Sequence, residues 1–250
     1  MEWSDEGIVM GVRRQGEANV LLELMTRGHG RHLGLVRGGR STRMQAVLQP
    51  GNGVAVTWRA RLEDHLGAFA VEGTDLRAAR LIGSPPGLYG LGLLGHLVRL
   101  LPEREANPGL FDALRIVVEA LDDPNLAAPL LIRFELAILS ELGVGLDLTC
   151  CAVTGARDDL AYVSPKSGRA VSAAAGEAWK DRLLALPRFL VDGQGRSTPD
   201  PVDLAAGFAL TGHFLARHVL DPRGIPMPDV RAALIASVAS RPRSEEGRTS

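Results

Sequence analysis

The apolar period of the chain changes once, near Leu81, and no other feature constrains its fold as much. Ahead of that point apolar and polar residues alternate in short runs separated by glycine-rich turns, the period-two pattern of strands with one buried face. Strands are predicted over Gly7 to Arg14, Val20 to Thr26, His32 to Arg37, Val54 to Arg61 and Phe69 to Glu72. In the fourth, Val54, Val56 and Trp58 share the inward face, with Thr57, Arg59 and Arg61 on the outward one. Strands this short cannot protect the edges of an open sheet, so a small closed barrel is predicted. Beyond Leu81 the spacing is helical. Phe111, Leu114, Val118 and Leu121 form one stripe, and Leu131, Phe134, Ile138 and Leu142 form a second that Gly143 ends. A third helix opens at Asp200 and Pro201. The expected architecture is multidomain α+β: a barrel over residues 1–80, then a helical domain over 81–240 with an irregular insertion at about 148–176, then a flexible tail over 241–250.

The 250 residues carry a net charge of −1, which by itself argues against a polyanionic partner. The balance is uneven along the chain, because residues 1–80 hold 11 arginines against 9 acids. No basic leader followed by an apolar block opens the sequence, and no apolar run is long enough to cross a bilayer. A cytoplasmic location without a membrane partner is expected. Cys150 and Cys151 are adjacent and too few for a disulfide framework, so reduced thiols are expected.

Two nucleotide-binding patterns are present in form only. Gly34 to Ser41 (GLVRGGRS) is one residue from a phosphate-binding loop, but Arg40 replaces the lysine and Pro50 and Gly51 cut short any following helix. Gly90 to Gly95 (GLGLLG) matches a dinucleotide fingerprint but lacks the strand that must precede it, and close helix packing explains its glycines better. A nucleotide-dependent enzyme built on this segment is the alternative reading. His96 is expected to be a core residue of an apolar helix, and the Asp122/Asp123 and Asp158/Asp159 pairs fall in turns where aspartate is ordinary. No nucleophile, base and acid can be assembled into a catalytic set, so no enzymatic activity and no cofactor are expected.

The strongest local signal is charge. From Arg27 to Arg43 (RGHGRHLGLVRGGRSTR) there are five arginines, two histidines and no acid. On a small barrel of the oligonucleotide-binding type these residues fall in and beside turns. Arg27, Arg31, Arg37, Arg40 and Arg43, helped by Arg59 and Arg61, are therefore the candidate nucleic-acid-binding set, gripping phosphates more than stacking bases. An RNA-binding barrel is a further alternative.

The early Trp3, the run GIVMGVRRQGEANVLLELMT, the turn RGHGR, then LVRGGRS and LQPGNGVAVTW together resemble the amino-terminal domain of the RecO recombination and repair proteins. LLIRFELAILSELGVGLDLTCC resembles that family's helix leading into its zinc-binding insertion. The resemblance implies an oligonucleotide-binding (OB) barrel followed by a helical domain, in a bacterial, nucleoid-associated, non-enzymatic mediator. Such a protein binds single- and double-stranded DNA, anneals complementary strands, and with RecR helps RecA replace single-stranded DNA-binding protein. It also implies that Arg133 rims an apolar pocket for that protein's acidic carboxy-terminal tail. The family's two Cys-x-x-Cys pairs map onto Cys151 and Thr154, then Ser172 and Ala175, so a degenerate zinc-ribbon-like insertion without metal is expected. The other reading left open is a site begun by Cys150 and Cys151 and completed by His213 or His218.

Overall fold

A computed structural model describes residues 1–191 and 199–239; the tail predicted over 241–250 lies outside them. Strands β1 (Glu2–Gln15), β2 (Asn19–Thr26), β3 (Gly30–Val36), β4 (Gly53–Arg59) and β5 (Ala68–Asp75) close in the order β1-β2-β3-β5-β4, with the helix α1 (Thr42–Val47) between β3 and β4. This is an OB-type barrel. Its one parallel contact is Leu35 beside Ala68, where β3 meets β5. β1 serves two partners: its first half pairs with β4 and its second half with β2, and the bulge between Val9 and Gly11 bends it from one to the other. It begins at Glu2, ahead of the predicted start, because Glu2, Ser4 and Glu6 give its first turn of pleat no apolar signal. Val9, Val20, Leu22, Leu24, Val36, Val54, Val56, Trp58 and Phe69 fill the interior, and Leu48 from beyond α1 joins them. Arg61 is not on β4 as predicted. The strand ends at Arg59, and Arg61 opens the loop to β5.

The remainder comprises α2 (Ala78–Ile82), α3 (Pro85–Val98), α4 (Pro108–Glu119), α5 (Ala127–Glu141), β6 (Leu160–Val163), β7 (Ala170–Ser172), α6 (Ala173–Gly176), β8 (Leu184–Ala185), α7 (Pro201–Phe214) and α8 (Asp229–Ala239). Three helices start by one device. Ser84, Asn107 and Asp200 each accept a hydrogen bond from the backbone N–H three residues on, and a proline follows each of them. Gly90 to Gly95 lies inside α3, where a side chain at Gly90 would come within 2.6 Å of Leu121, while one at Gly92 would make only ordinary contact with Val230. Gly90 lets α3 sit close to Leu121. His96, expected in the core, is exposed on α3. The insertion is more ordered than predicted: β6 and β7 form a hairpin that β8 joins, in strands of four, three and two residues, too short for a period to register in the sequence.

One apolar core runs through the helices and takes Ile8, Met10 and Met25 from the outside of the barrel, so the two halves share a dry joint. Within it Glu135, fully buried, receives Arg231 Nε at 2.7 Å and Nη2 at 3.0 Å, and Thr211 also donates to it. Arg231 Nη2 donates to the Phe208 carbonyl as well, pinning α8 onto α5 and α7.

His32 faces into the barrel among Trp3, Trp58 and Phe69, is 3% exposed, and neither ring nitrogen has a hydrogen-bond partner. Burial, reinforced by the charges of Arg104 and His29, pushes it down from an ordinary 6.5 to about 4. The unfolded chain takes up this proton below pH 6.5 and the folded chain resists until about 4, so stability falls as pH drops through that window. The loss from this residue amounts to roughly 3 kcal/mol at most. Denaturant titrations at pH 7 and pH 4.5 are expected to show a smaller acid loss in His32→Leu than in the unaltered protein; equal losses would remove His32 from the acid response.

Candidate nucleic-acid interface

The seven arginines singled out from the sequence divide into two groups, because β3 carries Arg31 at its start and Arg37 just past its end. At the start, the β2–β3 turn is pressed against the segment that follows α3. Gly30 makes this approach possible: it has φ +64°, and any side chain there would overlap the Glu105 carbonyl. Arg27 holds Asp112 of α4 with two parallel bonds of 2.9 and 3.0 Å and Glu6 with a third of 3.2 Å, and the bond to Glu6 followed by the charge of Asp112 raises its pKa. Arg31 bridges Glu23 at 3.1 Å and Glu103 at 3.2 Å and donates to the Leu101 carbonyl. Glu23 is shared with Arg99, whose Nε lies 2.8 Å away. Arg59 pairs with Glu2 at 2.9 Å, and that bond raises its pKa. Arg27 and Arg31 are thus bonds of the domain joint, and Arg59 is neutralised on the outer wall beside Glu2, so these three do not belong to a cationic track.

At the other end of β3 the geometry is different. The turn after Val36 folds onto the β1–β2 hairpin: Arg40 N–H donates to the Ala18 carbonyl at 3.1 Å and Gly38 N–H to Asn19 Oδ1 at 3.1 Å. The Arg40 guanidinium donates to the Glu17 backbone carbonyl. Arg37, Arg40 and Arg43 are exposed there, and two arginines passed over in the sequence reading join them. Arg13 lies opposite Leu21 and Arg14 opposite Val20, which in turn faces Val36, so Arg14 and Val36 are two strand spacings apart, roughly 10 Å. Among the described residues none of Arg13, Arg14, Arg37, Arg40, Arg43 or Arg61 is paired with a carboxylate, and Glu17 is the one acid in the hairpin tip. The signal for Arg13 and Arg14 was their place beside a two-strand turn.

The outward face of this hairpin also carries Leu21, Leu33 and Leu35, all half-buried, with Arg13 and Arg37 continuing it. Apolar strip and cations thus lie side by side on one face. The phosphate-loop reading has no support in the fold, since α1 is only six residues long.

Two family models match the chain: Recombination protein O N terminal over residues 1–76 and Recombination protein O C terminal over residues 87–224. The chain belongs to the RecO family. Among its relatives are the "DNA repair protein RecO" of Chelativorans sp. (strain BNC1), 59% identical over 238 residues, 95% of this chain and 96% of the relative. That of Methylobacterium nodulans is 59% identical over 239 residues, covering 94% and 97%, and that of Afipia carboxidovorans 56% over 240 residues, covering 96% of each.

In this RecO family member the four insertion positions Cys151, Thr154, Ser172 and Ala175 do not make a zinc site, which takes four N or S ligands. Ser172 donates through its N–H to Cys151 Sγ at 3.3 Å, and its hydroxyl lies 3.5 Å from the same sulfur. Burial alone would push the Cys151 thiol up; hydrogen bonds from Ser172 and Thr154 outweigh it and bring it down to about 6. Cys151 and Ser172, 21 residues apart, are thus joined by hydrogen bonds. His213 is elsewhere, on the Pro165 carbonyl at 3.2 Å, and His218 stacks on Phe214.

Arg133 projects from α5 beside a groove of about 150 Å³ lined by Ala113, Ile116, Val117, Leu130 and Phe134. It donates to the Phe189 carbonyl and lies over the Phe189 ring. Glu135, two residues on, points inward to Arg231, so Arg133 rims an apolar groove with its charge uncompensated by any carboxylate among the described residues.

Arg31 and Glu23 have side chains only 13% and 8% exposed, so truncating Arg31 leaves the buried Glu23 carboxylate with Arg99 alone. Arg31→Ala is expected to lower stability by about 3 kcal/mol, whereas Arg37→Ala and Arg43→Ala are expected to stay within about 0.5 kcal/mol of the unaltered protein. Urea unfolding of the three variants measures both, and equal losses in all three would contradict the division.

Proposed function

We propose that this protein is a non-enzymatic DNA-binding mediator. On this reading its barrel holds single and double strands through their phosphates at Arg13, Arg14, Arg37, Arg40 and Arg43. The observation that carries it is the cluster of uncompensated arginines at one end of a barrel where Arg27, Arg31 and Arg59 are neutralised by carboxylates. Phosphate contacts give affinity without reading sequence, and they leave base edges free. A surface that screens two backbones in this way lets complementary strands meet, which accounts for annealing without ATP. Work with RecR, and the loading of RecA onto DNA covered by single-stranded DNA-binding protein, follow from family membership in the same reading.

About five phosphate contacts imply a log-log salt slope on the order of −3.5 for single strands. Changing Arg37, Arg40 and Arg43 to Glu together is expected to weaken binding by at least about a hundredfold at moderate salt and to flatten the slope. Binding that ignores salt, or survives the triple change, contradicts the site; the readout is fluorescence anisotropy across a salt series.

The Arg133 groove fits the acidic, aromatic-ended tail of single-stranded DNA-binding protein: apolar walls for the ring, a guanidinium for the carboxylates. Arg133→Glu is expected to weaken a tail peptide by at least about tenfold in a calorimetric titration. Unchanged affinity would remove Arg133 from the groove's function.

A further inference from the structure

The cationic end of the barrel is two-sided. Adjacent residues of a strand point to opposite faces, so Arg13 continues the outward face of β2 and β3 while Arg14 turns the other way. On Arg14's side a groove of about 360 Å³ lies between β1 and α1, and Arg14 and Arg40 stand at it together. That volume is at the lower end of small-molecule sites, roughly 300–1,000 Å³.

The chemistry of the groove is specific. Its floor is apolar, from Val12, Val20, Leu48 and Pro50. Its polar lining is two carboxamides whose orientation is fixed from behind. Gln45 Nε2 donates to the Arg40 carbonyl at 2.8 Å, and Gln49 Nε2 donates to the Gln45 carbonyl at 2.8 Å. Each nitrogen spends one of its two N–H groups on backbone, which fixes the amide plane and leaves the oxygen of each side chain as an open acceptor. Among the described residues no carboxylate lines the groove. A flat apolar floor, two hydrogen-bond acceptors and two guanidinium groups match a heteroaromatic base with an amino edge attached to a phosphate.

We propose that the groove between β1 and α1 receives one nucleotide of a bound single strand. Its base lies on the Val12, Val20 and Leu48 floor, its exocyclic amino group faces Gln45 and Gln49, and its flanking phosphates lie on Arg14 and Arg40. The strand therefore turns over the β1–β2 hairpin from the Arg13 and Arg37 side to the Arg14 and Arg40 side, and this one base is withdrawn from pairing while its neighbours stay free. Cytosine and adenine carry an amino donor where thymine carries the O4 acceptor, so the groove discriminates among bases that the phosphate track treats alike.

The inference rests on the DNA-binding reading, and one experiment separates the two. Full-length protein is titrated with three fluorescent oligodeoxynucleotides of equal length: all cytosine, all thymine, and a strand of abasic sites with the same phosphates. The cytosine strand is expected to bind about three- to tenfold tighter than the thymine strand, the worth of one or two hydrogen bonds, with the abasic strand weakest. In the double variant Gln45→Leu/Gln49→Leu the preference for cytosine is expected to vanish while affinity for thymine is kept. Both glutamines are exposed, and an unchanged melting temperature verifies that the variant folds. Equal affinity for all three strands overturns the groove and leaves the phosphate track standing. A cytosine preference that survives the double variant also overturns it, because the base is then read elsewhere. Failure to bind any of the three overturns the DNA-binding reading itself.

Discussion

The joint between barrel and helices turns on one carboxylate. Glu23 lies on the outward face of β2 and is held from one side by Arg31 of the barrel and from the other by Arg99, the residue that caps α3. Gly11 keeps this space open, since a side chain there would meet the Arg99 guanidinium at 2.7 Å. A buried carboxylate costs several kcal/mol to desolvate, and only good geometry with both cations offsets that. With Ile8, Met10 and Met25 packed beside it, the arrangement fixes which end of the barrel is covered and which stays open. Everything said about the exposed cations follows from that choice.

The barrel was legible in the sequence because its information is local. Alternation placed Val54, Val56 and Trp58 inside, and glycine turns set the strand count. The fates of the arginines were not legible, because a cation's availability depends on acids that are distant along the chain. Asp112 lies 85 residues from Arg27, and nothing near Arg27 announces it. Arg13 and Arg14 escaped notice for the converse reason: Glu6 and Glu17 flank them in sequence, yet neither forms an ion pair with them in the fold. His96 shows a limit of helical periodicity, since α3 is apolar enough on its other faces to let one polar residue meet solvent.

The insertion is held without a metal-ligand set of its own making: Cys151 and Ser172 are in contact, and the small sheet of β6, β7 and β8 with buried Val163 and Val171 holds the loop from behind. Hydrogen bonds and apolar contacts suffice because the loop packs into the main core instead of standing alone.

The central claim is that one end of the barrel is closed by paired arginines and the other left open by unpaired ones. Arginine modification with a dicarbonyl reagent, read residue by residue by mass spectrometry with and without single-stranded DNA, tests it directly. The account predicts that Arg13, Arg14, Arg37, Arg40 and Arg43 react in the free protein and are protected by DNA, while Arg31 reacts slowly in both. Protection centred on Arg27, Arg31 and Arg59, with the hairpin arginines unaffected, would contradict it.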